Sequence, residues 1–146
     1  YKRQTMMSLN FVKNPGNLQH LFNEIKGKNL SPVDLINSYI RRINDTQKDI
    51  EQWKSYDFEK AIETAKLREQ QIVDNNILGP LHGIPVGIKD IIHVEGFKTE
   101  FNCKAFKNTE ISKLDSGVVL ALRSAGAIIL GKIHTTEFAF YDPSHA

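Results

Sequence analysis

Cys103 is the only cysteine in the 146 residues, so no disulfide can form within the chain. That scarcity excludes the disulfide-stapled secreted class and agrees with a reducing compartment. Long apolar runs are missing as well, and no stretch reaches the roughly 18 residues that cross a bilayer as a helix. Tyr1 to Asn10 is basic and polar and lacks the apolar core of a signal peptide. The chain opens on Tyr rather than Met, with Met6 and Met7 as candidate starts, and a cytoplasmic location with no membrane attachment is the expectation. An excess of one charge is also absent: 19 Lys and Arg stand against 17 Asp and Glu. With basic residues scattered as Lys26 and Lys28 or Arg41 and Arg42, no basic stripe of a nucleic-acid binder forms.

What is present is the composition of a folded domain. The apolar fraction of 40% and charged fraction of 25% are ordinary for a globular protein, whereas a disordered chain has fewer aliphatics. The length suits one domain with a core and is short for two. Within it, residues 1–16 read as a tail, 17–78 as helical and 79–146 as an α/β portion.

Asn17 to Lys26 carries Leu18, Leu21, Phe22 and Ile25 in a helical stripe, and Gly27 stops it. Ser31-Pro32 gives a cap followed by proline at the first helical position, with the helix running to about Asn44. Asp57 caps a third helix, Phe58 to about Val73. From Gly79 the chain turns rich in glycine, proline and β-branched residues, and Val86 to Val94 reads as a strand entered through tight turns. Residues 96 to 114 read as loop. A helix follows, capped by Asp115 or Ser116 and closed by Gly126, and Ala127 to Leu130 suits a strand buried on both faces. Helix, strand, helix, strand predicts an α/β fold with a partly parallel sheet. Two strands under four helices leave edges unpaired, so the chain reads as unfinished.

Most candidate chemistry fails on inspection. Gly83-Ile84-Pro85-Val86-Gly87-Ile88-Lys89 does not place lysine directly after glycine, and Asp90, which would repel a phosphate, stands where a phosphate loop needs Ser or Thr. Gly131-Lys132 lacks the upstream glycine and the following hydroxyl. His20, His82, His93, His134 and His145 include no i, i+4 pair, so no metal site is read, and a single loop cysteine is more often inert than catalytic. Lys89 admits two readings. Apolar residues on both sides of its strand suit a place inside the protein, with Gly87 leaving room for a close approach, while the local pattern alone favours an edge-strand lysine that guards against aggregation.

The segment Gly79-Pro80-Leu81-His82-Gly83-Ile84-Pro85-Val86-Gly87-Ile88-Lys89-Asp90 resembles the N-terminal hallmark of the amidase-signature family. Leu122 to Lys132, followed by Thr135-Thr136-Glu137-Phe138-Ala139, resembles that family's next block, and Leu30 to Leu35 resembles its second helix. The match is collinear across most of residues 17 to 146. The resemblance implies a mixed, mostly parallel central sheet covered by helices, of which this chain holds roughly the first third. It also implies hydrolysis of a carboxamide C–N bond by a Ser–cis-Ser–Lys triad, with Lys89 as the lysine and both serines in a Gly/Ser-rich segment not found here. Phe101-Asn102-Cys103 departs from the small Gly-Ser of the family after the lysine strand.

Such a base works as the neutral amine, whereas a free lysine titrates near about 10.4. Burial in an apolar pocket disfavours the charged form, so the resemblance implies a desolvated Lys89. It implies no cofactor and no metal. It leaves three readings: an amidase acting on a small amide, the A-type component of an aminoacyl-tRNA amidotransferase, and a noncatalytic binding fragment, with a homodimer open. Without the serines, this stretch alone is expected to be inactive. Phe138, Phe140 and Tyr141 suit core and pocket equally.

Overall fold

The computed structural model describes residues 17–140. Helix α1, Leu18–Lys26, begins where the Asn17 side chain accepts the His20 N–H at 2.8 Å, and it ends at Gly27. Helix α2, Pro32–Ile50, starts on the Ser31 hydroxyl, which accepts the N–H groups of Val33 and Asp34 at 3.1 Å each. It outruns the Asn44 boundary of the apolar stripe because the residues from Asp45 to Asp49 are polar yet compatible with a helix. Glu51, in the left-handed region at φ 48°, breaks it. Helix α3, Phe58–Val73, is capped by the Asp57 carboxylate, which accepts the Lys60 N–H at 2.9 Å.

Between α2 and α3 lies strand β1, Trp53–Tyr56, in the gap between two helices of the portion that reads as helical in the sequence. Four residues with an internal lysine carry too little alternation to announce a strand. Strand β2 is Pro85–Lys89, helix α4 is Gly117–Ser124 and strand β3 is Ile128–Ile133, with single 3-10 turns at Lys104–Phe106 and Glu137–Ala139. The sheet order is β1-β3-β2, with β1 antiparallel and β2 parallel to β3. β2 stops at Lys89 rather than at Val94, because β3 offers its last rung when Ile133 O accepts the Asp90 N–H at 2.9 Å. The β-branched residues beyond it serve the core instead: Val94 is fully buried against Ile88, Val119 and Ile129.

β3 is the centre of the structure because both of its faces are covered. On one face Ile128 and Leu130 pack against Ile36 and Ile43 of α2 and Ala61 and Ala65 of α3. On the other, Ile129 packs with Ile88, Phe97 and Val119. Burying an aliphatic side chain of this size contributes about 1.5–3 kcal/mol, so the run Ile128-Ile129-Leu130 organises both layers. β1 and β3 approach most closely at Gly131, where a Cβ would stand 2.2 Å from Ser55 O. Only glycine fits that crossing.

Candidate active site

β2 and β3 run parallel, so their carboxyl ends lie at one end of the sheet, the end where open α/β sheets place ligands. Lys89 ends β2, Asp90 follows it, and Ile133 ends β3. Pleating sends successive side chains to alternate faces. Lys89 shares a face with Gly87, where an added Cβ would stand 2.9 Å from the Trp53 ring. Lys89 itself is exposed, at the end of an edge strand. The expectation of an interior lysine at this position is therefore not met among the described residues. Among the described residues β2 pairs with β3 alone, so the last residue of β2 meets solvent there.

The buried lysine is Lys132. Its side chain is 0% exposed and that of Asp90 is 1% exposed, and they pair at 2.8 Å from Nζ to Oδ1. Lys132 Nζ also donates to Thr99 Oγ1 at 2.8 Å and to Lys98 O at 3.0 Å. Two neutral acceptors and one carboxylate thus surround the ammonium. Burial lowers the Lys132 pKa, and the hydrogen bond and charge of Asp90 oppose that shift. Removing one partner of a buried pair costs about 3–5 kcal/mol, because the other charge is left uncompensated. Asp90 gathers further contacts: Oδ2 accepts the Glu100 N–H at 3.2 Å and lies 3.9 Å from Lys54 Nζ, which pairs with Glu100 at 2.7 Å.

Neither residue stands out in the sequence as part of a site. Both fall within segments that resemble the family's, but with no role: Asp90 is read as a group that repels phosphate, and Lys132 as half of a failed glycine-lysine motif. One signal does point to them: Lys132 lies in the apolar run 127–133, where a lysine inside a covered strand demands a carboxylate.

Around this centre, residues 96–103 and 134–140 form a wall. Phe101 stacks on Phe138 with centroids 5.3 Å apart and meets Phe106 edge-on at 5.2 Å. Phe101 O accepts the Phe138 N–H at 2.9 Å. Phe101 and Asn102 both adopt left-handed backbone, at φ 54° and 52°, where the family pattern has its small residues. Phe138 and Phe140 are 50% and 71% exposed, so neither is core, and Tyr141 lies outside the described residues. A groove of about 740 Å³ opens nearby between Lys54, Phe58, Phe97, Lys98 and Glu100, and Lys89 does not line it.

His82 is fully buried: its Nδ1 accepts the Leu78 N–H at 3.2 Å, which leaves Nε2 to donate to Arg68 O at 2.9 Å. Among the described residues no group of three or more His, Cys, Asp and Glu is placed to hold a metal, and no helix is long and apolar enough to cross a membrane. His145 lies outside the described residues.

Comparison with known proteins identifies the family. The Amidase family model matches residues 34–143. The A-type component of the glutamyl-tRNA(Gln) amidotransferase of Trichlorobacter lovleyi is 33% identical over 122 residues, covering 84% of this chain and 25% of that protein. An acylamidase of Rhodococcus erythropolis is 33% identical over 117 residues, covering 80% of this chain and 24% of the relative. The native peptide amidase of Stenotrophomonas maltophilia superposes with a TM-score of 0.79 at 25% identity, over 89% of this chain and 26% of that one. The chain thus spans about a quarter of the length of these relatives, less than the third expected from sequence. With its family match across residues 34–143 and its fold shared with a solved amidase, the chain belongs to the amidase-signature family.

Proposed function

We propose that Lys89 is the base of a Ser–cis-Ser–Lys triad that hydrolyses a small carboxamide, with both serines supplied outside these residues. The observation that carries the reading is the place of Lys89: the carboxyl end of β2, next to the pinned Asp90 and within the family match. A nucleophilic serine attacks the amide carbonyl, and its proton passes through the bridging serine to the Lys89 amine. The tetrahedral intermediate carries an oxyanion, which backbone N–H donors stabilise by roughly 3–4 kcal/mol each in comparable hydrolases. The intermediate collapses, the C–N bond breaks, and the leaving amine takes the proton back from Lys89. Water then attacks the acyl ester with the same base, releasing the acid and restoring the enzyme. The role requires the lysine to be desolvated in the complete protein, because an exposed amine is protonated at neutral pH. No step uses a cofactor.

The test is ammonia release by the full-length protein from acetamide, benzamide and glutamine. Lys89→Ala is expected to abolish turnover while the thermal unfolding profile stays intact, and retained turnover overturns the assignment. A second reading is favoured by the amidotransferase components among the relatives. There the same chemistry on glutamine delivers ammonia to an aminoacyl-tRNA held by partner proteins. Glutamine cleavage that appears only with such partners supports this second reading, and cleavage of simple amides by the protein alone supports the first.

A further inference from the structure

We infer that the buried Asp90–Lys132–Thr99 network is a positioning device for Lys89, fixing where the amine stands without touching the substrate. The inference rests on the reading of Lys89 as the base.

Lys89 is the last residue of β2, which among the described residues pairs with β3 alone, and strand ends are where local opening is easiest. A catalytic base must nevertheless be held to a fraction of an ångström, because small misplacements cost large factors in rate. The residue after it supplies the missing constraint. Asp90 donates its N–H to Ile133 O at 2.9 Å and accepts the Phe101 N–H on its carbonyl at 3.1 Å. Its carboxylate takes the Lys132 ammonium and the Glu100 N–H. One residue thus binds the end of β2 to β3 through main chain and side chain, and to the 98–101 loop through both. Because Asp90 is locked into the interior, its neighbour is fixed toward the opposite face.

Lys132 is the second half of the device. It is fully buried, paired with Asp90 and hydrogen-bonded to Thr99 and Lys98, so it is anchored as a fixed cation and cannot reach a substrate. Its hydrogen bonds to Thr99 Oγ1 and Lys98 O tie β3 to the loop that carries Phe101. The two lysines therefore divide the work: Lys132 is held inside and Lys89 is presented. Replacing Lys132 alone strands a buried carboxylate and risks the fold. Thr99→Val is the gentler probe, since it keeps shape and removes one acceptor.

The experiment uses the full-length protein with acetamide and benzamide, comparing Thr99→Val, Thr99→Ser, the double variant Asp90→Asn/Lys132→Met and Lys89→Ala, each checked for cooperative unfolding. Thr99→Val is expected to lower kcat about tenfold with KM within about twofold, while Thr99→Ser restores kcat to within about twofold of the parent. The double variant is expected to show the same kcat-selective loss, and if it fails to fold the Thr99 pair decides. Folded Thr99→Val with parental kcat, alongside an inactive Lys89→Ala, overturns the positioning role and leaves the base assignment standing. An active Lys89→Ala overturns the base assignment and this inference with it.

Discussion

Gly126 lies so close to His82 that a Cβ built on it would stand 2.6 Å from the His82 Cα. Its backbone is also left-handed, at φ 94°, and its carbonyl accepts the buried Arg68 Nε–H at 3.1 Å and the Gly83 N–H at 3.0 Å. The turn before β3 and the turn before β2 are thereby pressed together, which sets the start of the parallel pair. Gly126→Ala meets both the backbone clash and the cost of a left-handed alanine. A loss of about 3 kcal/mol or more is expected in urea unfolding, with little change in slope.

His82 makes stability depend on pH. Burial lowers its pKa, the hydrogen bond to Arg68 O opposes the shift, and the Arg68 charge adds to it. Protonation would also place a hydrogen on Nδ1, where the Leu78 N–H already donates. His134 is shifted the same way, first by burial and then by the Lys54 charge. For a histidine whose folded pKa is depressed, stability is fully present above the unfolded value of about 6.5 and is lost as pH falls through that value toward the folded one. Unfolding free energy should therefore decline below about pH 6.5, and His82→Gln should flatten part of that decline. An unchanged slope in the variant would assign the effect to His134 or to other groups.

Much of this arrangement is legible in the sequence where a local rule suffices. Ser31-Pro32 and Asp57 announce helix starts because a cap and a fixed φ act within one turn. The apolar run before Gly131 announces a covered strand for the same local reason. β1 is not legible, because Trp53 to Tyr56 is a strand only through its pairing with β3. The length of β2 is overstated by pattern alone because Ile91, Ile92 and Val94 look like strand residues, whereas the available partner ends at Ile133. At the site, the motif locates Lys89 but not its exposure, which depends on what lies beside an edge strand. The Asp90–Lys132 pair joins residues 42 positions apart. Only the register of β2 on β3 brings them together.

The cap at Ser31 does two jobs, so its loss should exceed that of a simple cap. Its oxygen accepts two helix N–H groups and its hydroxyl donates to Glu69 on α3. Removing a serine cap costs about 1 kcal/mol, up to about 2 in demanding cases. Ser31→Ala is expected near the upper figure, and the double variant Ser31→Ala/Glu69→Gln should cost less than the sum of the single changes. Strict additivity in that double-mutant cycle would remove the Ser31–Glu69 coupling.

Cys103 should be a sluggish thiol despite its partial exposure. The hydrogen bond to Glu137 is the first cause that raises its pKa, and the Glu137 charge adds to it, against weaker lowering by the backbone N–H groups of Ala105 and Phe106. The thiolate is the species that alkylates, so a raised pKa means less of it at a given pH. Iodoacetamide at about pH 8 should modify Cys103 more slowly than free cysteine. Glu137→Gln removes the charge while keeping a side-chain acceptor, so it should speed the reaction severalfold and move its pH midpoint down. An equal rate in parent and variant, with Phe101 and Phe138 still stacked, would show that access past the aromatic wall controls the thiol.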